Sequence, residues 1–88
     1  MPTLSMFYGI IVMMFCERDS KHHMPHIHVS YSGENVVVDL RGNVLEGGIP
    51  ANKMKLLLAW MEIHYDELAA NWEIAQRKEQ VFKIDPLR

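Results

Sequence analysis

Four of the five histidines in this 88-residue chain fall within seven positions: His22, His23, His26 and His28. Alternate residues of a β-strand project to the same face, so His26 and His28 can reach one ion or one substrate together. His22 or His23 can join them from the preceding loop. Because neutral imidazoles bind Zn, Ni, Cu or Fe, one prediction is a divalent transition-metal site formed by these four residues.

The same histidines suit proton transfer, since imidazole titrates near neutral pH and an adjacent carboxylate fixes its tautomer. Asp39 is the candidate carboxylate, because a turn that pairs Tyr31 with Val36 places His28 opposite Asp39 across two antiparallel strands. In an enzyme of this kind His26 and His28 are the acid and base and Asp39 orients His28, and the alternative reaction that we consider is RNA cleavage.

A third interpretation is that His26, His28 and Ser30 form the solvent face of a half-buried strand. Short histidine-rich tracts are compositional hints only. A strong zinc signature has four ligands at recognised spacing, and this sequence has neither a cysteine pair nor an HExxH motif. The spacing therefore leaves metal binding, catalysis and a polar strand surface open.

Composition narrows the class of protein. The formal net charge is -2, so no overall positive field attracts nucleic acid or an anionic membrane, and any RNA contact needs a local basic patch. The uncharged run Leu4–Cys16 is shorter than the ~20 residues of a membrane-spanning helix. Because the single cysteine, Cys16, cannot form an internal disulfide, we expect a cytoplasmic protein.

A single domain of this size, residues 1–88, often gains stability by self-association.

The elements that must position the histidines follow from apolar periodicity. Met6–Cys16 lacks a polar face, which predicts one central strand buried on both sides. The histidine strand pairs with Val36–Leu40, Val44–Glu46 adds a short strand, and Val81–Ile84 is a candidate edge strand. After Pro50, apolar residues recur at steps of three and four: Met54, Leu57 or Leu58, Met61, Tyr65, Leu68, Trp72 and Ala75. We expect an α+β fold in which an antiparallel sheet of three to four strands packs against a long or kinked C-terminal helix.

Several segments of the sequence resemble one bacterial family. They are the opening Met1–Ile10, Pro25-His26-Ile27-His28-Val29, Leu45-Glu46-Gly47, Asn71-Trp72-Glu73 and the closing Lys83–Leu87. Together they are similar to domain-of-unknown-function family 4160, and the Pro-His-hydrophobic-His element is the most distinctive of them.

The resemblance implies a small α+β protein that is often encoded beside a member of domain-of-unknown-function family 2442, and thus one half of a toxin–antitoxin pair. It implies no established reaction. Many relatives have Pro-Pro before the first histidine, where this chain has Met24-Pro25, and many carry a charged residue where this chain has Met6 or Ile11. If that charged residue forms a phosphate-binding site in the family, its absence here puts a ribonuclease role in doubt. We therefore expect a protein that acts mainly by association, as a homo-oligomer or with a protein partner.

Overall fold

The computed structural model describes residues 3–15 and 24–88. These residues form one antiparallel sheet in the order β1-β2-β3-β4-β5, followed by two helices. The strands are β1 (Thr3–Phe7), β2 (Ile10–Met13), β3 (His26–Tyr31), β4 (Glu34–Asp39) and β5 (Val44–Gly47). The helices are α1 (Ala51–Ile63) and α2 (Tyr65–Gln76). The predicted α+β class is confirmed, but the sheet has five strands rather than three to four.

The apolar run near the N-terminus is a hairpin, so the prediction of one strand over Met6–Cys16 is wrong. Tyr8 and Gly9 have φ angles of 50° and 82°, and positive φ at both central residues is the requirement of a tight type I′ hairpin turn. The turn brings Phe7 opposite Ile10. It was missed because the residues on both sides of it are uniformly apolar, so the hydrophobic pattern does not mark the change of direction.

The turn between β3 and β4 is also tighter than predicted. Ser32 and Gly33 are its two central residues, with φ of 49° and 85°, so Tyr31 pairs with Glu34 instead of Val36. The pairing is therefore shifted by two residues from the predicted register. Because a shift of two residues keeps each side chain on its own face, Ile27 and Val29 share an apolar face with Val36 and Val38 in either register, while the residues directly opposite one another change.

The predicted C-terminal helix divides into two at His64, whose φ and ψ of -108° and 24° are not helical. The backbone N–H of His64 donates to the Trp60 carbonyl at 3.0 Å, and the His64 carbonyl accepts from the Leu68 N–H at 3.0 Å, so this residue ends α1 and begins α2. Its ring Nδ1 lies 2.6 Å from the Glu67 carboxylate. Neither described helix has the length and apolar character that crossing a bilayer would require.

Both helices cover one face of the sheet, which we call the helix face. Its buried strand residues include Ile10, Val12, Ile27, Val29, Val36 and Val38, and the helices contribute Leu57, Trp60, Met61, Leu68 and Ala75. The Phe7 and Trp60 rings meet here at 5.2 Å between centroids. Burying these apolar side chains is the main source of stability in a domain of this kind.

The C-terminal segment after α2 is not the predicted edge strand over Val81–Ile84, and hydrogen bonds from side chains and from β1 to its backbone hold it in place. The buried Asn71 side chain accepts a bond from the Phe82 N–H at 2.8 Å and donates to the Phe82 carbonyl at 3.0 Å. The Ile84 N–H donates to the Leu4 carbonyl at 2.8 Å, and the Trp60 indole donates to the Asp85 carbonyl at 2.8 Å. The segment therefore lies against β1 and the helices.

Candidate functional site

The face of the sheet opposite the helix face carries His28, and we call it the histidine face. Strand register places Thr3, Met13, His28, Val37 and Glu46 in one row across all five strands. A neighbouring row contains Met6, Ile11, Ser30 and Asn35. Alternation along β2, β3 and β4 puts both rows on the same face, and an irregularity in β1 between Thr3 and Ser5 lets Thr3 and Met6 belong to them. This face combines apolar side chains with a histidine and a carboxylate.

His26 is almost completely buried at the end of β3, with 2% of its surface exposed. Its ring lies between the rings of Trp72 and His28, at centroid distances of 5.2 and 5.3 Å. The His26 Nδ1 atom is 2.7 Å from the Met24 carbonyl, which accepts a hydrogen bond from it. The two imidazoles are therefore side by side, as the pleat predicts, but His26 is packed beneath Trp72 rather than presented to a substrate.

His28 is half-buried and lines a depression of about 620 Å³ on the histidine face. The Phe15 ring meets the His28 ring edge-on, with centroids 4.7 Å apart. Met13 and Val37 form apolar walls, and Glu46 lines the same depression. Of the two histidines on β3, His28 is thus the one that borders an open space.

Asp39 lies opposite His26, not opposite His28, whose partner on β4 is Val37. The predicted pairing of His28 with Asp39 is therefore wrong, because the two-residue turn sets a different register. The Asp39 carboxylate accepts hydrogen bonds from the backbone N–H groups of Arg41 and Asn43, each at 2.9 Å, and from the Asn43 side-chain amide at 3.0 Å. It caps the β4–β5 turn instead of orienting an imidazole.

The pKa of the Asp39 carboxyl reflects this capping role. Partial burial opposes ionisation, but the hydrogen bonds from Asn43 and Arg41, with the positive charge of Arg41, outweigh it. Together they hold the pKa below its ordinary value of 3.8. Asp39 is consequently a stable anion, which suits a hydrogen-bond acceptor in a turn better than a group that exchanges protons near neutral pH.

Sequence reasoning did not identify Glu46 as a neighbour of the His28 depression. The signal was present, since Val44–Glu46 was predicted as a strand and a two-residue turn at Ser32-Gly33 fixes the register of β3 and β4. From that register, Val37 lies between His28 and Glu46. The missing step was the turn length, because the strand pattern alone is compatible with several pairings.

The predicted metal site includes His22 and His23, which lie outside the described residues, as does Cys16. Among residues 3–15 and 24–88, no three His, Cys, Asp or Glu side chains are grouped so that they could hold a metal ion. Within that part of the chain, the candidate site consists of one imidazole, His28, and one carboxylate, Glu46, at the border of an apolar depression.

Comparison with known proteins places the chain in a family. Residues 9–73 match the family model described as Domain of unknown function (DUF4160). The chain belongs to this family. The match in this DUF4160 protein runs from the β1–β2 turn into α2 and includes the Pro-His-hydrophobic-His element, whereas the closing segment Lys83–Leu87 and most of the opening segment Met1–Ile10 lie outside it. A search of curated proteins and of solved structures found no match.

Proposed function

We propose that this DUF4160 protein is one component of a toxin–antitoxin pair and acts by protein association through its histidine face. The observation that carries the proposal is the depression around His28, whose walls are mainly apolar and come from neighbouring strands. Depressions of this composition are typical of protein-binding and ligand-binding surfaces. The family resemblance supplies the partner class, a co-encoded member of domain-of-unknown-function family 2442.

Methionine on this face supports association. Met6 is 63% exposed, and Met13 is half-buried beside His28. The flexible thioether side chain of methionine adapts its shape to a partner, and methionine is enriched in interfaces. An exposed methionine also contributes favourably when a partner removes it from water, at about 25 cal/mol per Å² of apolar surface.

The test is co-expression with the co-encoded neighbour, followed by purification of the complex and measurement of growth. Met6→Lys should weaken the complex, because it puts a charge within the proposed interface. The matched control is Ile63→Lys, since Ile63 is 66% exposed and lies at the end of α1. We expect a stable wild-type complex that causes or relieves growth arrest, with Met6→Lys impaired and Ile63→Lys unaffected. Absence of both a complex and a growth effect would contradict the proposal.

A second candidate function is RNA cleavage, favoured by the presence of His28 and Glu46 in one depression. A histidine and a carboxylate on one surface form a minimal acid–base pair. In this version His28 transfers the proton, and His26, held by Met24 and Trp72, supports the His28 ring. Cleavage of an RNA substrate that persists in His28→Ala, or in a His26→Ala/His28→Ala double variant, would exclude this function.

A further inference from the structure

A second depression, which we call the turn groove, lies between the β4–β5 turn and the helices. Its volume is about 430 Å³. Arg41 borders it on the turn, and Glu62 borders it on α1. Leu58, Met61 and Tyr65 supply apolar surface between them. The groove is separate from the histidine face, because helix residues form much of its lining.

The apolar part of the turn groove is accessible. Leu58 is 37% exposed and Tyr65 is 41% exposed, while Met61 is buried beneath them. Tyrosine, methionine and arginine are enriched at the centres of protein interfaces, and hot spots are commonly tyrosine or arginine. The composition of the groove therefore matches a surface that packs against protein.

The two charges that border the groove are opposite in sign. Between described residues the ion pairs are His64–Glu67 and Arg77–Glu79, so within that part of the chain neither Arg41 nor Glu62 belongs to one. Arg41 stands on the turn side of the apolar strip, and Glu62 stands on the helix side. A surface with opposite charges on its two sides is self-complementary, because a two-fold axis along the strip brings each charge against its opposite in a second copy.

We propose that the turn groove is the interface of a homodimer of this chain. In the dimer, Arg41 of each protomer forms an ion pair with Glu62 of the other, and the Leu58 and Tyr65 side chains pack across the two-fold axis. A second copy satisfies both charges at once and covers the apolar strip. It also adds a core contact to an 88-residue domain, a size at which association commonly supplements stability.

The side of the groove that carries Arg41 is held in place before association. Asp39 accepts the Arg41 backbone N–H at 2.9 Å, and a Cβ atom at Gly42 would lie 3.2 Å from the Leu58 side chain, so the turn packs closely on α1. Leu58 and Glu62 are four residues apart on α1 and therefore share one face. Because the turn and this face of α1 are already fixed in this way, little backbone conformational entropy is lost when two copies meet.

The experiment is sedimentation equilibrium of the full chain across a dilution series, with Arg41→Glu and Glu62→Arg variants alone and mixed. Each variant alone sets like charges against each other twice in a homodimer, so its dimer should be at least about tenfold weaker than that of the wild type. The mixture should recover a dimer. In a heterodimer of the two variants, each cross-interface pair joins one carboxylate to one guanidinium group, so both pairs are again opposite in sign.

The double variant Arg41→Glu/Glu62→Arg is a second rescue beside the mixture. It exchanges the two charges within each chain, so both cross-interface pairs are again opposite in sign and its dimer should recover most of the wild-type affinity. Both positions are exposed, and circular dichroism should show that each variant is folded.

Lys83→Glu is the matched control, because Lys83 is exposed in the C-terminal segment, outside the groove, and undergoes the same change of charge as Arg41→Glu. It should dimerise like the wild type. The proposal would be overturned by a monomeric wild type, by a double variant no more associated than either single variant, or by equal loss of dimer in Lys83→Glu. A monomeric wild type whose complex with the co-encoded neighbour fails in Arg41→Glu would instead assign the groove to a different protein.

Discussion

Replacing Asp39 with alanine should destabilise the fold, because it removes the acceptor of three hydrogen bonds in the β4–β5 turn. Each such bond contributes about 0.5–1.5 kcal/mol, and the partly exposed position favours the lower half of that range. The expected loss is thus about 2 kcal/mol in the free energy of unfolding. In a domain of this size, that corresponds to a fall in Tm of roughly 8–16 °C. Asp39→Asn keeps one acceptor oxygen for the backbone N–H groups and should lose about half as much.

The assay is urea unfolding followed by circular dichroism, with thermal unfolding as a second measurement. Glu34→Ala is the control, since Glu34 is an exposed carboxylate on the same strand and should change the free energy of unfolding by less than about 0.5 kcal/mol. An Asp39→Ala variant as stable as Glu34→Ala would refute the capping role. So would a variant of unchanged stability that loses partner binding or RNA cleavage, because Asp39 would then act at a functional site.

Three further predictions concern stability. The pKa of Asp39 is lowered in the folded state, so the ionised carboxylate stabilises the fold at pH values above its ordinary pKa of 3.8. This contribution to the free energy of unfolding is lost as the pH falls through the folded-state pKa. The difference in free energy of unfolding between wild type and Asp39→Ala should therefore narrow in acid titrations. Gly47→Ala should cost more than about 1 kcal/mol, because φ is 73° and the new Cβ would overlap a β4 carbonyl, whereas Gly48→Ala, with open space around it, should be nearly neutral in the same unfolding assay. Asn71→Ala should cost about 2 kcal/mol and accelerate hydrogen exchange at the Phe82 amide.

Alternation of apolar and polar residues was sufficient to predict which side of the histidine strand is buried. Ile27 and Val29 are indeed in the core on the helix face, and His28 projects to the other face. This part of the fold depends on the two-residue period of a strand, which a register shift of two residues leaves unchanged. Ile27 and Val29 are therefore buried as predicted, although the predicted cross-strand pairs are wrong.

Turn length could not be obtained from hydrophobic pattern. Tyr8-Gly9 joins two apolar strands, and Tyr is an unusual residue for positive φ, so the first hairpin has no polar marker. After Ser32-Gly33, the neighbouring Glu34 and Asn35 also resemble turn residues, so the sequence favours a longer loop than the two-residue turn that forms. The length of the Ser32-Gly33 turn sets the pairing of β3 with β4, and this pairing determines which carboxylate lies near each histidine.

Burial explains the remaining difference at the candidate site. Sequence spacing treats His26 and His28 as equivalent, since both belong to the same strand face. In the fold, Trp72 of α2 covers His26 at the end of the sheet, whereas His28 borders the depression. That distinction depends on where a helix far along the chain passes the strand. Periodicity within one segment carries no information about such a contact.

The most direct test of association through the histidine face is an NMR titration of ¹³C-methyl-methionine protein with the unlabelled co-encoded neighbour. Met6 and Met13 report on the histidine face, while Met54 on α1 packs against the core on the helix face. Contact at the histidine face predicts that the methyl signals of Met6 and Met13 shift or broaden in proportion to the complex formed, and that the signal of Met54 stays in place. A complex that moves Met54 and leaves Met6 and Met13 unchanged would contradict the account.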